Sequence, residues 1–234
     1  MNLEKYQQYS RIARGLEKAD LVLKDARIVN VFTEEIIRGD IAIQDGIIAG
    51  IGSFHGKEER DLAGRYVCPG FIDSHLHLES TLVTPAELVT AASRHGTTTF
   101  IVDPHESANV SGLAGIDYIL DQTEDVKANV YVMMPSCVPA TAIDDNGCTL
   151  TAEDMAPYLH NSRILGLGEV MDSISVVQGD KTMHDKLELF EGRIRDGHAP
   201  FLEEGDLQAY AMAGIATDHE CSFFDYAMRE RRNG

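Results

Sequence analysis

The sequence predicts an α/β fold, in which an incomplete (β/α)8 TIM-type barrel over residues 66–234 follows a small β domain over residues 1–65. Short β-rich runs fill the chain up to Arg65, and beyond it strands alternate with helices in about six units. This alternation is typical of parallel βαβ units. A closed barrel has eight such units and typically takes ~250 residues, so we expect this barrel to be incomplete.

The first domain is predicted to begin with a helix over residues 1–19, because Tyr6, Tyr9, Ile12 and Leu16 recur at a spacing that forms one apolar face. Short strands follow in this domain, predicted at residues 21–23, 27–31, 40–43 and 47–51. Between the last two strands, Asp45-Gly46 predicts a tight hairpin turn.

The second domain begins with an apolar strand that leads to His75. Thr84, Pro85 and Glu87 then predict a helix start with a capping box, and Gly96 predicts the end of that helix. Further strands are predicted at residues 97–102, 129–134 and 164–168, upstream of Ala199, and at 213–217. Helices are predicted at residues 106–121, 151–160 with Thr151 as cap, 182–195, 205–212, and 223–231 with Ser222 as cap.

The charge of the chain excludes some classes of partner. The 234 residues include 38 acidic and 20 basic side chains, which gives a formal net charge of −18. Such a chain repels phosphate backbones and anionic lipid surfaces, so we expect no nucleic-acid and no membrane partner. An excess of carboxylates does suit a site that binds divalent cations.

The chain shows no sequence signal for export or membrane insertion. No apolar run approaches the ~20 residues needed to span a bilayer, and residues 1–8 are polar, without the apolar centre of a signal peptide. We therefore expect a cytoplasmic protein. The four cysteines, Cys68, Cys137, Cys148 and Cys221, show no paired spacing and are interpreted as reduced thiols.

Two histidines at the end of the first barrel strand are the clearest chemical signal. His75 and His77 are separated by one residue, and side chains two positions apart on a strand point the same way. In parallel barrels the carboxyl ends of the strands form the active-site face. The pair could therefore bind one metal ion, although an isolated His-x-His is more often two ordinary loop histidines.

A second polar group, Asp103-Pro104-His105-Glu106, follows the next buried strand. One interpretation is structural, since Asp as N-cap with Pro at the first helical position is a common helix start. The other is functional, because the group places three potential ligands at a strand end.

Three later strand ends carry the same kinds of side chain. Glu169 ends an apolar strand, where an unpaired carboxylate is costly to bury. His198 and His219 each stand where a strand should end. Each signal alone is weak, but these five of the six predicted strand ends would converge on one mouth of a barrel. Four imidazoles and a bridging carboxylate suit a two-metal site for zinc, manganese or iron.

Other catalytic motifs are incomplete or absent in this sequence. His77-Leu78-Glu79 matches half of the zinc site of cytidine-deaminase-type enzymes, but the P-C-x-x-C half is absent. The sequence also contains no phosphate-binding P-loop and no G-x-S-x-G nucleophile motif.

Several stretches, in this order, resemble the adenine deaminase family of the amidohydrolase superfamily. They are residues 69–80 (PGFIDSHLHLES), 96–99 (GTTT), 103–110 (DPHESANV), 135–141 (PSCVPAT), 166–171 (GLGEVM), 196–200 (DGHAP) and 217–220 (TDHE). The first stretch marks the superfamily, and the third, fourth and fifth point to the adenine deaminase branch.

The resemblance implies a barrel of the metal-dependent hydrolase kind with a binuclear centre, of manganese or iron with zinc as an alternative. The implied metal ligands are His75, His77, Glu169, His198 and His219, with Glu169 bridging. The implied reaction is deamination of a small-molecule nucleobase, adenine, to hypoxanthine and ammonia by a metal-bound hydroxide, within purine metabolism.

The same resemblance implies roles for four further acidic or imidazole side chains. Asp103 and Glu106 are expected to act in catalysis beside Glu169, and His105 and Glu79 to contact substrate or an accessory metal. Family members are more than twice as long, and their catalytic aspartate from the last barrel strand has no counterpart here. We therefore expect residues 1–234 alone to be inactive.

Two other functions stay open on the sequence alone. One is a different cyclic-amide or cyclic-amidine hydrolase, such as a dihydroorotase-like enzyme. The other is a non-catalytic metal-binding remnant that acts through a partner. Because an unclosed barrel leaves a strand edge and apolar surface open, we also expect poor solubility or pairing with another chain, most simply as a homo-oligomer.

Overall fold

The computed structural model describes residues 1–141 and 143–234. The backbone divides into two compact units, Met1–Pro69 and Gly70–Gly234. The composition change near residue 65 predicted a boundary four residues earlier, and that domain division stays a prediction. No helix in the described ranges is long and apolar enough to cross a membrane.

The N-terminal unit pairs one helix with a mixed sheet. Its elements are helix α1 (Leu3–Ala13) and strands β1 (Ala19–Asn30), β2 (Glu35–Gln44), β3 (Ile47–Gly52), β4 (Gly56–Asp61) and β5 (Tyr66–Val67). The strand order is β3-β2-β1-β4, with β5 also paired to β1. The antiparallel β2–β3 hairpin turns at Asp45 and Gly46, both with positive φ, as Asp-Gly predicted.

Two features of this sheet differ from the sequence-based expectation. The predicted strands 21–23 and 27–31 are one strand, β1, whose pairing register shifts between Leu23 and Ala26. Asp25 at this irregularity has a φ of 49°, so the backbone is locally not extended. This position falls in the gap between the two predicted strands. Strand β4 (GKEERD) was missed because its side chains are charged and mostly exposed, so it shows no apolar alternation.

The C-terminal unit is an open, fully parallel sheet of six strands, in the order β11-β10-β9-β8-β7-β6. The strands are β6 (Phe71–Leu76), β7 (Thr97–Val102), β8 (Asn129–Met134), β9 (Ile164–Val170), β10 (Ile194–Gly197) and β11 (Thr217–Asp218). Six parallel strands with intervening helices confirm the predicted incomplete barrel.

Helices connect these strands. They are α2 (Pro85–Ser93), α3 (His105–Ser111), α4 (Leu113–Gln122), α5 (Ala152–Met155), α6 (Ser173–Gln178), α7 (Lys181–Leu189), α8 (Glu204–Met212) and α9 (Phe224–Asn233), with 3-10 turns at Glu79–Thr81 and Ala156–His160. One apolar core, which includes Phe100, Ile116, Leu167 and Phe190, packs the helices on the sheet. This core holds the strand ends in fixed relative positions.

Several predicted helix bounds were wrong. The helix expected over residues 106–121 is two helices, because Gly112 adopts φ 62° and ψ −141° between them. The helix expected over 151–160 is one turn capped by Thr151, followed by a 3-10 segment. The helix expected over 182–195 ends at Leu189, and Ile194 already belongs to β10.

Thr84 is the N-cap residue of α2 as predicted, but the capping box predicted there is wrong, and so is the predicted cap at Ser222. Thr84 precedes α2, but its side chain makes no capping hydrogen bond. Helix α9 begins at Phe224 after an extended Phe223, one residue later than expected. The last two strands lie a few residues from their predicted positions, since each is short and lacks a long apolar run to define it.

Candidate metal centre

Six polar side chains meet at the carboxyl edge of the six-stranded sheet. His75 lies in β6 and His77 just beyond it, Asp103 follows β7, and Glu169 is the penultimate residue of β9. His198 directly follows β10, and His219 directly follows β11. Because parallel strands end at one edge, positions up to 144 residues apart in sequence converge, as the sequence pattern indicated.

Glu169 lies at the centre of this group, and only 2% of it is exposed. Each of its carboxylate oxygens faces a different set of ring nitrogens. Oε1 lies 2.7 Å from His105 Nδ1 and 3.5 Å from His77 Nε2. Oε2 lies 2.8 Å from His198 Nδ1, 3.2 Å from His219 Nε2 and 4.0 Å from His75 Nε2.

The charge state of Glu169 follows from these neighbours. Burial alone would raise its pKa, but hydrogen bonding from His105, His198 and His219 outweighs burial and holds the pKa well below its usual range. The carboxylate is therefore ionised in a nearly dry pocket. A cation that displaced the protons of these rings would meet a buried anion and several nitrogen ligands, which together make a strong cation site.

The spacing of the donor atoms fits metal ions. Asp103 Oδ1 is buried with no hydrogen-bond partner within the described chain, and it lies 3.8 Å from His105 Nδ1. Leaving such an acceptor unsatisfied is costly, and Asp103, His105 and Glu169 together form a donor group that a cation would satisfy. His75 Nε2 and His77 Nε2 lie 3.0 Å apart, slightly less than the separation of about 3.3 Å for two nitrogens bound to one tetrahedral ion.

Four overlapping donor groups include the predicted ligands. Within each group one ligand atom per residue lies within 4.8 Å of the others. The groups are His75 with His77 and Glu169, Glu169 with His198 and His219, Asp103 with His105 and Glu169, and His75 with Asp196 and His219. This set of imidazoles and carboxylates suits zinc, manganese or iron.

Asp103 is tied directly to the backbone of the central glutamate. It is buried, and its Oδ2 accepts a hydrogen bond from Glu169 N at 2.8 Å. Burial raises the pKa of Asp103 to about 8. Gly168 makes this contact possible, because a Cβ at that position would lie 2.1 Å from Asp103 Oδ2. A carboxyl group that exchanges its proton near neutral pH is suited to acid–base chemistry.

Glu79 and Glu106 lie apart from the donor groups found among the described residues. Glu79 Oε1 accepts hydrogen bonds from the backbone N–H groups of Glu106 and Ser107, each at 3.1 Å, at the start of α3. Glu106 accepts a hydrogen bond from Ser80 Oγ at 2.7 Å. Glu79 thus stabilises the helix that carries His105, and its Oε2 is buried without a hydrogen-bond partner in the described chain.

Three buried side chains behind Glu169 were missed by the sequence analysis. Ser136 Oγ donates to Glu169 O at 2.6 Å, and Lys186 Nζ donates to Ser136 O at 2.7 Å. Tyr210 OH donates to Val170 O at 2.5 Å. They fix the tip of β9 and with it the direction of the central carboxylate. Nothing in a helix such as KTMHDKLEL marks Lys186 as the lysine that is buried.

Asp196 is a fourth side chain that sequence reasoning missed. Its Oδ2 lies 3.2 Å from His75 Nδ1 and 3.5 Å from His219 Nδ1. Burial would raise its pKa, but hydrogen bonds from His219 and His75 lower it overall. The signal was available, because Asp196 stands two positions before His198 at a strand end and so shares its face of the sheet.

The family match and the similar curated relatives of this chain agree with one another. Residues 66–232 match the Amidohydrolase family. Over all 234 residues the chain is 57% identical to an adenine deaminase of Desulfitobacterium hafniense (strain Y51) and covers 41% of it. Over 224 residues, 95% of this chain, it is 48% identical to an adenine deaminase of Clostridium acetobutylicum and covers 39% of it. The chain thus spans about two fifths of the length of these curated relatives.

Two solved structures share the fold. An N-acyl-D-glutamate deacylase from Bordetella bronchiseptica, complexed with zinc and a phosphonate inhibitor, has a TM-score of 0.59 and 18% identity over 86% of this chain and 51% of that chain. The atrazine chlorohydrolase TrzN from Arthrobacter aurescens TC1, complexed with zinc, has a TM-score of 0.52 and 15% identity over 91% of this chain and 67% of that chain. At such low identity these likenesses concern the fold alone.

Proposed function

The chain belongs to the amidohydrolase family, and from that premise we propose that it carries the metal centre of an enzyme that hydrolyses adenine to hypoxanthine and ammonia. The choice of adenine is supported by the 57% identity to an adenine deaminase over the full length of this chain. The reaction belongs to purine metabolism, with a neutral small-molecule nucleobase as substrate. A cytoplasmic location remains a prediction from the sequence.

The observation that carries the proposal is the position of Glu169 between two sets of imidazoles. One oxygen faces His77 and His105, and the other faces His198 and His219. A carboxylate that offers one oxygen to each side suits a bridge between two cations. We assign the binuclear centre to His75, His77, Glu169, His198 and His219, and its metals to manganese or iron, with zinc as the alternative.

Metal ions in this centre would activate water, because coordination lowers the pKa of water toward neutrality. Deamination forms a C6–O bond, breaks the C6–N bond and moves water protons to the leaving amine. We assign Asp103 as a proton carrier, since its pKa of about 8 lets it both take and give a proton near neutral pH. We assign Glu106 as a second acidic group, and His105 and Glu79 to contacts with substrate or an accessory cation.

A chimera tests this function. This chain would replace the matching part of the Desulfitobacterium hafniense relative, to which it aligns over all 234 residues. We expect the manganese-loaded chimera to release ammonia from adenine and not to open the ring of dihydroorotate. Glu169→Gln in the chimera should abolish ammonia release, whereas Glu124→Gln, at an exposed position outside the centre, should leave it unchanged.

The alternatives predict different results in the same assay. Ring opening of dihydroorotate without ammonia release from adenine would show that the substrate is a cyclic amide and not adenine. A folded, metal-loaded chimera that turns over neither compound would favour a non-catalytic metal-binding role. For the isolated chain we expect metal binding without adenine turnover, and measurable turnover by residues 1–234 alone would contradict that expectation.

A further inference from the structure

Asp196 joins side chains that come from the two outermost strands of the six-stranded sheet. His75 lies in β6 at one edge, and His219 directly follows β11 at the other. The same oxygen, Asp196 Oδ2, lies 3.2 Å from Nδ1 of His75 and 3.5 Å from Nδ1 of His219. One carboxylate therefore faces the same side of both rings.

The opposite sides of these two rings face Glu169. Nε2 of His75 lies 4.0 Å from Glu169 Oε2, and Nε2 of His219 lies 3.2 Å from the same oxygen. The two rings are stacked, with centroids 3.6 Å apart and 21° between their planes. The pair thus lies between two carboxylates, with Asp196 on the Nδ1 side and Glu169 on the Nε2 side.

An imidazole can offer a lone pair at one nitrogen only when its proton is on the other nitrogen. A hydrogen bond from Nδ1–H to an acceptor selects that tautomer and fixes the ring orientation. Asp196 supplies this acceptor to both rings. Thr217 in turn fixes Asp196, because Thr217 Oγ1 donates to Asp196 Oδ1 at 2.5 Å and leaves Oδ2 for the rings.

We propose that Asp196 is a positioning residue that holds His75 and His219 in the Nδ1–H tautomer, so that both Nε2 lone pairs face the space beside Glu169. The inference rests on the metal centre of the proposed function and adds a residue to it. Thr217 is the second member of the same arrangement. Asp196 could instead bind a cation directly, since it also forms a donor group with His75 and His219.

The test measures zinc affinity and histidine tautomers in the full chain, loaded with zinc. Loss of an outer hydrogen-bond partner of this kind lowers metal affinity by about 10- to 100-fold. We expect a loss in that range for Asp196→Asn and Asp196→Ala, and a loss below about 10-fold for Thr217→Val. Long-range ¹⁵N–¹H spectra should show Nδ1–H at His75 and His219 in the unmodified chain, and a mixture of tautomers at these histidines in Asp196→Ala.

A matched control is Asp180→Asn. Asp180 caps α7 by accepting from the backbone N–H groups of Thr182 and Met183, and asparagine caps equally well. This variant should keep the zinc affinity and both tautomers. It separates the effect of losing one carboxylate anywhere in the unit from the effect of losing Asp196.

Three results would overturn the proposal. The first is unchanged zinc affinity and unchanged tautomers in Asp196→Ala, with metal still lost in Glu169→Gln. The second is Nε2–H at both histidines in the zinc-loaded chain. The third is loss of one whole zinc equivalent in Asp196→Ala with both tautomers retained, which would make Asp196 a direct ligand. Retention of zinc by Glu169→Gln would instead contradict the metal centre itself.

Discussion

Gly168 shows at the scale of one residue how close packing supports the candidate centre. Asp103 reaches the backbone of Glu169 only because position 168 has no side chain. The sequence could not reveal this, since a glycine before a strand-end glutamate is also typical of an ordinary turn. The contact joins residues 66 apart along the chain, and only the folded sheet brings them together.

We predict that Gly168→Ala weakens metal binding at least about 10-fold, because the new methyl group would displace Asp103 from Glu169 N. The overpacking should also destabilise the unit by about 1–3 kcal/mol. Isothermal titration with zinc and urea unfolding measure the two effects. Gly205→Ala is the control, since a Cβ there meets nothing within 4 Å. Equal zinc affinity in the two variants would contradict the role given to this glycine.

The candidate metal ligands could be predicted from the sequence. His75, His77, Glu169, His198 and His219 were identified because each follows or ends an apolar strand, and the structure brings all five together. Ser136 and Lys186 were missed because their contacts are set by packing between elements distant in sequence. Polar residues that support ligands carry a weaker local pattern than the ligands do.

At the scale of elements, the central strands were predictable and several helix bounds were not. Strands β7, β8 and β9 are apolar runs between polar segments, so their positions follow from the sequence. The sequence predicted one continuous helix in place of α3 and α4, because both have apolar residues at helical spacing. Gly112 separates them, and its backbone conformation, with φ 62° and ψ −141°, is essentially restricted to glycine.

We therefore predict that Gly112→Ala destabilises the C-terminal unit by about 1–3 kcal/mol, through backbone strain at positive φ. A Cβ at this position would also lie 2.9 Å from Cys148 Sγ, so the Cys148 side chain or its loop must shift. Urea unfolding followed by circular dichroism measures the change, again with Gly205→Ala as the control. A stability equal to that of the unmodified chain would mean that α3 and α4 can merge at no cost.

At the scale of the whole molecule, the open sheet leaves strand edges exposed. Strands β6 and β11 each pair on one side only among the residues that the structure describes. On β6, Phe71 is 61% exposed and Ile72 is 64% exposed. An unpaired edge with large apolar side chains is prone to pair with another chain.

We predict that the purified chain self-associates through the β6 edge, in keeping with the expected homo-oligomer. Ile72→Lys should reduce the associated fraction, because a charge on an edge strand opposes pairing. Ile174→Lys is the matched control, since Ile174 is 66% exposed but belongs to α6, the helix that follows the central strand β9. Light scattering after size-exclusion chromatography measures the mass. A monodisperse monomer that unfolds cooperatively would contradict the prediction.

Binding of a pair of divalent cations by Glu169 and the four histidines is the central property proposed for this chain. The direct measurement is the metal content of the chain after loading with manganese, iron or zinc and exhaustive dialysis. We predict about two ions per chain, consistent with a two-metal site, and loss of metal in Glu169→Gln with Glu124→Gln unaffected. A chain that retains no metal, or a Glu169→Gln variant that retains as much as the unmodified chain, would contradict it.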